Sequence, residues 1–191
     1  MRLFVALEIP AAVRDNLAAL MRDLRSLSSR LADKRPRWVL LENLHVTLKF
    51  IGEVAPAKLD GVRGVLSAVR SNEPVDLRFR GLGFFSSEDI PRVLWTGLGA
   101  TPNLPLLAAD IDSALEAQGI ARERRAFTPH LTLARFEPPG LHEKLRAAIL
   151  QNGEREFGSF QAREFHLVES KLKPSGAAYT TLATFPFTRE E

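Results

Sequence analysis

The tetrapeptide His-x-Thr-Leu occurs twice, as His45-Val46-Thr47-Leu48 and as His130-Leu131-Thr132-Leu133, once in each half of the chain. Histidine is the side chain that can both take and give a proton near neutral pH. Two of them at one reacting centre could divide that labour: one imidazole deprotonates an attacking group while the other protonates a leaving group. Threonines two positions further on would share the histidine's side of an extended strand and donate hydrogen bonds to developing negative charge. One copy alone would carry little weight, because threonine favours strands and a strand histidine usually serves structure. Two copies among only 4 histidines make a paired acid–base site the stronger reading.

That geometry requires each motif to lie on a strand. Alternation then puts His45, Thr47 and Lys49 on one face and Val46, Leu48 and Phe50 on the other, core-facing one. It likewise sets His130 and Thr132 against Leu131 and Leu133. Arg135 falls on the face away from His130 unless a bulge or the strand end redirects it. The remaining histidines lack the motif. His142 belongs to the first turn of a charged helix and reads as solvated, and His166 alternates with Phe165 and Leu167 on the more polar face of its strand.

The elements around the motifs alternate between strand and helix. Strands are expected over residues 3–9, 45–51, 75–85, 93–98 and 130–136, with a hairpin of 164–171 and 178–185 around Lys173-Pro174-Ser175-Gly176. Residues 86–92 read as an irregular loop because of Pro91. Apolar residues recurring at three and four predict helices over 11–31, 58–69, 104–118 (ended by Gly119) and 141–150. Each motif strand thus follows one long helix and precedes another. The plan is α+β: two pseudo-symmetric antiparallel-sheet lobes with outer helices and a central cleft, in a single domain over residues 1–191.

The totals exclude several chemistries. With 0 cysteines there is no thiolate nucleophile, disulfide or cysteine-bound metal, which suits a reducing interior. The opening Met1-Arg2-Leu3-Phe4-Val5-Ala6-Leu7-Glu8 reads as a strand and not a leader, and no apolar run approaches the ~20 residues of a membrane span. A cytoplasmic protein is expected. Arginine supplies most of the 26 basic side chains, compatible with phosphate or nucleic acid, although a GC-rich genome is the weightier explanation of such a bias. Gly61-Val62-Arg63-Gly64 lacks the lysine of a nucleotide-binding loop, and there is neither His-Glu-x-x-His nor Gly-x-Ser-x-Gly. No metal ligand set and no cofactor are expected.

At these residues the chain resembles the two-histidine (2H) phosphoesterases, and within them the bacterial RNA 2′,3′-cyclic phosphodiesterases also described as 2′-5′ RNA ligases. The resemblance runs through Arg2-Leu3-Phe4-Val5-Ala6, Glu42-Asn43-Leu44-His45-Val46-Thr47-Leu48-Lys49-Phe50-Ile51-Gly52-Glu53, Pro91-Arg92-Val93-Leu94-Trp95, Phe127-Thr128-Pro129-His130-Leu131-Thr132-Leu133-Ala134-Arg135, and the terminal hairpin from Phe165 to Phe185. It implies a bilobal fold whose motif strands face each other across a cleft. It also implies metal-independent hydrolysis of an RNA 2′,3′-cyclic phosphate to a 2′-phosphate, with 2′-5′ joining as the reverse reaction. His45 would be the proton donor, His130 the acceptor, and Thr47, Thr132 and Arg135 the phosphate ligands. The expected partner is RNA bearing a cyclic phosphate end; no membrane or obligate protein partner is implied, and a monomer is expected.

Two other readings keep the same groove. One is a phosphodiesterase for small cyclic nucleotides such as ADP-ribose cyclic phosphate. The other is an RNA-binding module without turnover, for which an acid and a base would serve no purpose. Phe84, Phe85, Trp38 and Tyr179 are candidates for stacking a terminal base. The basic groups Arg35-Pro36-Arg37 and Arg122-Glu123-Arg124-Arg125 flank the motif strands and could guide an RNA backbone.

Overall fold

The apolar runs pair into one continuous antiparallel sheet whose two halves carry the two motifs. The computed structural model describes residues 1–29, 36–87, 90–137, 143–174 and 176–188. In chain order the elements are β1 (Arg2–Glu8), α1 (Ala11–Ser29), β2 (Arg37–Trp38), β3 (His45–Glu53), α2 (Leu59–Leu66), β4 (Val75–Ser87), β5 (Ile90–Ala100), α3 (Asn103–Glu116), β6 (His130–Arg135), α4 (Glu143–Gln151), β7 (Glu156–Ala162), β8 (Glu164–Lys173) and β9 (Gly176–Pro186). Single 3-10 turns precede β3 at Leu41–Asn43 and α2 at Pro56–Lys58.

The strand order is β7-β4-β5-β6-β3-β1-β8-β9, with β2 beside β6. Each half is therefore a four-stranded antiparallel lobe, and the motif strands β6 and β3 are the innermost pair. They meet edge to edge through one residue pair, Val46↔Leu131, so the lobes share a seam and diverge on either side of it. The helices cross over: α1, which follows a first-lobe strand, packs on β7 and α4, while α3 packs on β3 and α2. This exchange locks the lobes together from behind the sheet.

The apolar periodicity explains the core. Val13, Leu17, Leu20, Met21 and Leu24 form one stripe of α1, and Leu104, Leu107, Ile111 and Leu115 the stripe of α3, all buried against the sheet. Gly119 takes a left-handed φ of 75° after α3, where the amide of Ile120 donates back to the Leu115 carbonyl at 3.3 Å. Strand β1 is buried on both faces. Leu3, Val5 and Leu7 join the main core, while Phe4 and Ala6 form a second cluster with Val168 and Tyr179 on the concave face.

Two expectations change. Much of the expected loop is strand: β4 runs to Ser87 and β5 starts at Ile90, with Ser86↔Pro91 paired beyond a bulge at Arg92. Strand β7 is an addition to the expected elements. Its Phe157 and Phe160 are spaced like helix residues because a bulge opposite Phe79 and Arg80 brings the odd-positioned Phe157 onto the core side. Three expected features, the end of the first helix near Leu31, the helical placement of His142 and the turn at Ser175, lie outside the described residues.

Candidate active site

Around the Val46↔Leu131 pair the two strands run antiparallel, so His45 lies across from Thr132 and Thr47 across from His130. Local hydrogen bonds orient both imidazoles identically. His45 Nδ1 is 2.7 Å from the carbonyl oxygen of Asn43, and His130 Nδ1 is 2.8 Å from that of Thr128. A carbonyl only accepts, so each Nδ1 carries its proton and each Nε2 is left for chemistry. Each histidine ties its ring to the backbone two residues upstream, where the chain turns into the strand.

Aromatic rings hold the imidazoles from the sides. His45 packs on Phe4 at 4.7 Å and against the edge of Tyr179 at 5.3 Å. His130 stands perpendicular to Phe85 at 4.7 Å, and Phe85 leans on Trp95 at 5.4 Å. Of the stacking candidates, Tyr179 and Phe85 thus line the histidines. Phe84 packs toward Phe136, and Trp38 lies under the Arg25 guanidinium. Phe4 and Phe50 were missed. Phe4 could have been found, because a run apolar at every position from Leu3 to Leu7 cannot bury both faces in one core.

Two bulges decide what else reaches the groove. On β3, Ala6 pairs with Thr47 but Val5 pairs with Lys49, leaving Leu48 as the extra residue. On β6, Trp95 pairs with Thr132 but Leu94 pairs with Ala134, leaving Leu133 as the extra residue. Beyond each bulge the alternation inverts. Arg135, set on the far face by strict alternation, is returned to the histidine face, where its charge acts on both His45 and Tyr179. The same inversion corrects the reading of β3. Lys49 does not face the groove; its side chain is buried among core residues, with its ammonium 2.5 Å from Asp112 of α3 and 2.8 Å from the Ala121 carbonyl. Phe50 moves to the groove side, 59% exposed and 6.3 Å from Phe4.

The electrostatics of the two histidines differ. Burial pushes the His45 imidazole below its usual 6.5, the Asn43 carbonyl partly opposes this, and the charges of Arg135 and His130 lower it further. Burial raises the Tyr179 phenol against the pull of Arg135 and Arg2. His166 is buried beside the groove, its Nδ1 3.0 Å from Thr184 Oγ1 and its Nε2 3.7 Å from Glu164, so it is engaged within its own lobe. Arg37, one of the flanking basic residues, pairs with Glu137, and Arg35 lies outside the described residues.

Two sheet lobes sharing a seam, with a histidine and a threonine from each at that seam, define a two-histidine phosphoesterase architecture. Residues 13–174 match the 2′-5′ RNA ligase superfamily, and the chain belongs to that family. It is similar to the RNA 2′,3′-cyclic phosphodiesterase of Methanothermobacter thermautotrophicus, 32% identical over 185 residues that cover 96% of this chain and 97% of the relative. Among solved structures it is similar to the protein TT0787 of Thermus thermophilus (TM-score 0.78, 29% identity, 98% of both chains). It is also similar to Escherichia coli LigT complexed with 3′-AMP (TM-score 0.76, 26% identity, 98% of both chains). No described helix is long and apolar enough to cross a membrane.

Proposed function

We propose that the protein is an RNA 2′,3′-cyclic phosphodiesterase that opens the cyclic phosphate to a 2′-phosphomonoester by paired-histidine acid–base catalysis. The observation that carries this reading is the diagonal square of His45, Thr47, His130 and Thr132 across one strand pair, with both Nδ1 atoms tied to backbone carbonyls. Names of relatives across nearly the full chain length support the substrate class.

In this reading the His130 Nε2 takes a proton from water as the water oxygen bonds to phosphorus. The P–O3′ bond breaks, the phosphate stays on O2′, and the His45 Nε2–H gives its proton to the departing O3′. Proton exchange with solvent then returns His45 to its charged and His130 to its neutral form. Thr47 and Thr132 hydroxyls and the Arg135 guanidinium hold the non-bridging oxygens, where charge concentrates in the transition state. Acid, base and oxyanion donors are all side chains of this protein, so the scheme needs no metal.

The proton donor must be charged, yet in the empty groove burial, with Arg135 and His130, holds the His45 imidazole below the pKa of a free one. A bound phosphate anion reverses this, offsetting Arg135 and favouring the imidazolium. Substrate therefore recruits its own acid. Single-turnover assays of an RNA with a 2′,3′-cyclic phosphate end, with proton uptake on binding measured near pH 7, test the scheme. Net proton uptake is expected; release, or no change, would contradict this assignment of roles.

A further inference from the structure

The lobes part from a one-pair seam, but the two flanks of that seam are built differently. On the β6 flank, the chain approaching His45 returns as β2 and pairs Arg37↔Arg135 and Trp38↔Ala134, with the Val39 amide donating to the Leu133 carbonyl at 2.9 Å. On the β3 flank, the chain approaching His130 adds no strand. Among the described residues β6 pairs with β3 only at Val46, and the flank beyond it is open. The wedge left there is a hollow of about 810 Å³ between residues 49–55 of the β3 end and residues 118–125 of the loop leading to His130. Phe50, exposed on the groove side, forms the boundary between wedge and groove.

The wall of this hollow is basic. Lys58, Arg122, Arg124 and Arg125 line it against two carboxylates, Glu53 and Glu123, while Lys49 at its edge is buried against Asp112. The loop is held in shape from within. Asp112 accepts the Glu123 amide at 3.1 Å and the Arg122 Nε at 3.4 Å while binding Lys49, and Glu123 accepts the amides of Arg124 and Arg125. The acidic groups are thus spent on the loop's own scaffold. The Arg124 side chain meets no acceptor among the described residues, and Arg125 is 88% exposed, 3.4 Å from Glu123. A loop held in shape that presents the unpartnered Arg124 guanidinium and the exposed Arg125 beside an exposed aromatic ring suits a chain of phosphates interleaved with bases.

We propose that this wedge is a subsite for single-stranded RNA: Arg124 and Arg125 bind a backbone phosphate of a nucleotide next to the cyclic end, and Phe50 stacks its base. The proposal rests on the phosphodiesterase reading above and adds to it a preference for oligonucleotides over mononucleotides. A mononucleotide cyclic phosphate fills only the groove; an oligonucleotide reaches the wedge as well.

The test compares a single-stranded hexaribonucleotide ending in a 2′,3′-cyclic phosphate with 2′,3′-cyclic AMP, for wild type, Arg124→Ala/Arg125→Ala, Phe50→Ala, and Arg22→Ala on the outer surface of α1 as control. Wild type should favour the hexamer in kcat/KM. The double variant should lower that preference about tenfold at low salt and flatten the salt dependence by roughly 1.4 in log–log slope, about 0.7 for each cationic side chain removed from a single strand. Phe50→Ala should lower the preference without changing the slope. Equal losses on both substrates, or an unchanged preference, would overturn the subsite. If wild type turns over neither substrate, the phosphodiesterase reading itself fails. The subsite is then judged by fluorescence anisotropy with a 3′-phosphorylated hexamer, where the double variant should bind about tenfold more weakly and equal affinity would reject it.

Discussion

The Lys49–Asp112 pair is the part of this structure most open to a quantitative test, because it exists only if the β3 bulge turns Lys49 inward. The lysine side chain is 6% and the aspartate 13% exposed, so water screens the pair poorly. The ammonium has two partners, Asp112 and the Ala121 carbonyl. In Asp112→Ala a buried ammonium keeps only the carbonyl, and breaking such a pair from one side costs about 3–5 kcal/mol. For a chain of this size that lowers Tm by roughly 6–20 °C, at about 2–4 °C per kcal/mol. In Lys49→Met the carboxylate keeps the Glu123 amide and Arg122, so the loss should be smaller, about 1–3 kcal/mol. The double variant Lys49→Met/Asp112→Leu removes both charges and should recover most of the stability. Burial opposes ionisation of Asp112, but the hydrogen bonds from Lys49, Glu123 and Arg122 outweigh it and hold the carboxyl below its usual 3.8. The pair's contribution is then full above that value and is lost as pH falls through the lowered one. Urea titrations of the four proteins at neutral pH measure all of this. A cost for Asp112→Ala below about 1 kcal/mol, or a double variant no better than the worse single one, would refute an inward, buried Lys49.

Further outcomes are expected at the groove. The His45 limb of the kcat/KM profile, which reports the free enzyme, should lie below the ordinary 6.5 of histidine, since His45 is lowered in the empty site. The limb of kcat should lie higher, because bound phosphate restores the charged form; coincident limbs would count against that coupling. Arg135→Met should raise the His45 titration seen by NMR, as its cationic neighbour is gone, and, if Arg135 holds the phosphate as proposed, lower kcat/KM by about 10²-fold. Gly83→Ala should cost about 1–3 kcal/mol and change Trp95 fluorescence, because its Cβ would meet the indole ring at 2.4 Å; a silent substitution would show that Trp95 does not pack over Gly83.

How far the residues alone could be read is clearest on the two motif strands. Up to Thr47 and Thr132 alternation predicts the burial correctly, with Val46 and Leu131 fully buried and the histidines and threonines partly exposed. Past those points it fails, since a bulge adds a residue without changing the apolar character of the run. The signal was present nonetheless: Leu133 and Ala134 are consecutive apolar residues, and a strand that buries one face rarely places two in succession. The pairing of the lobes was legible because each motif strand follows one long helix and precedes another. The closure of only one flank by β2 was not, because Arg37-Trp38 is too short to carry a periodic signature. The wedge follows from that asymmetry, which only the strand order reveals.

The central claim is that two histidines on one strand pair act as acid and base on a cyclic phosphate. It is tested most directly by incubating wild type, His45→Ala and His130→Ala with an RNA ending in a 2′,3′-cyclic phosphate, in EDTA, and identifying the product. Conversion to a 2′-phosphate by wild type, with each variant slowed by about 10²–10⁴-fold, is the predicted result. Activity retained in either variant, a 3′-phosphate product, or turnover abolished by EDTA would contradict it.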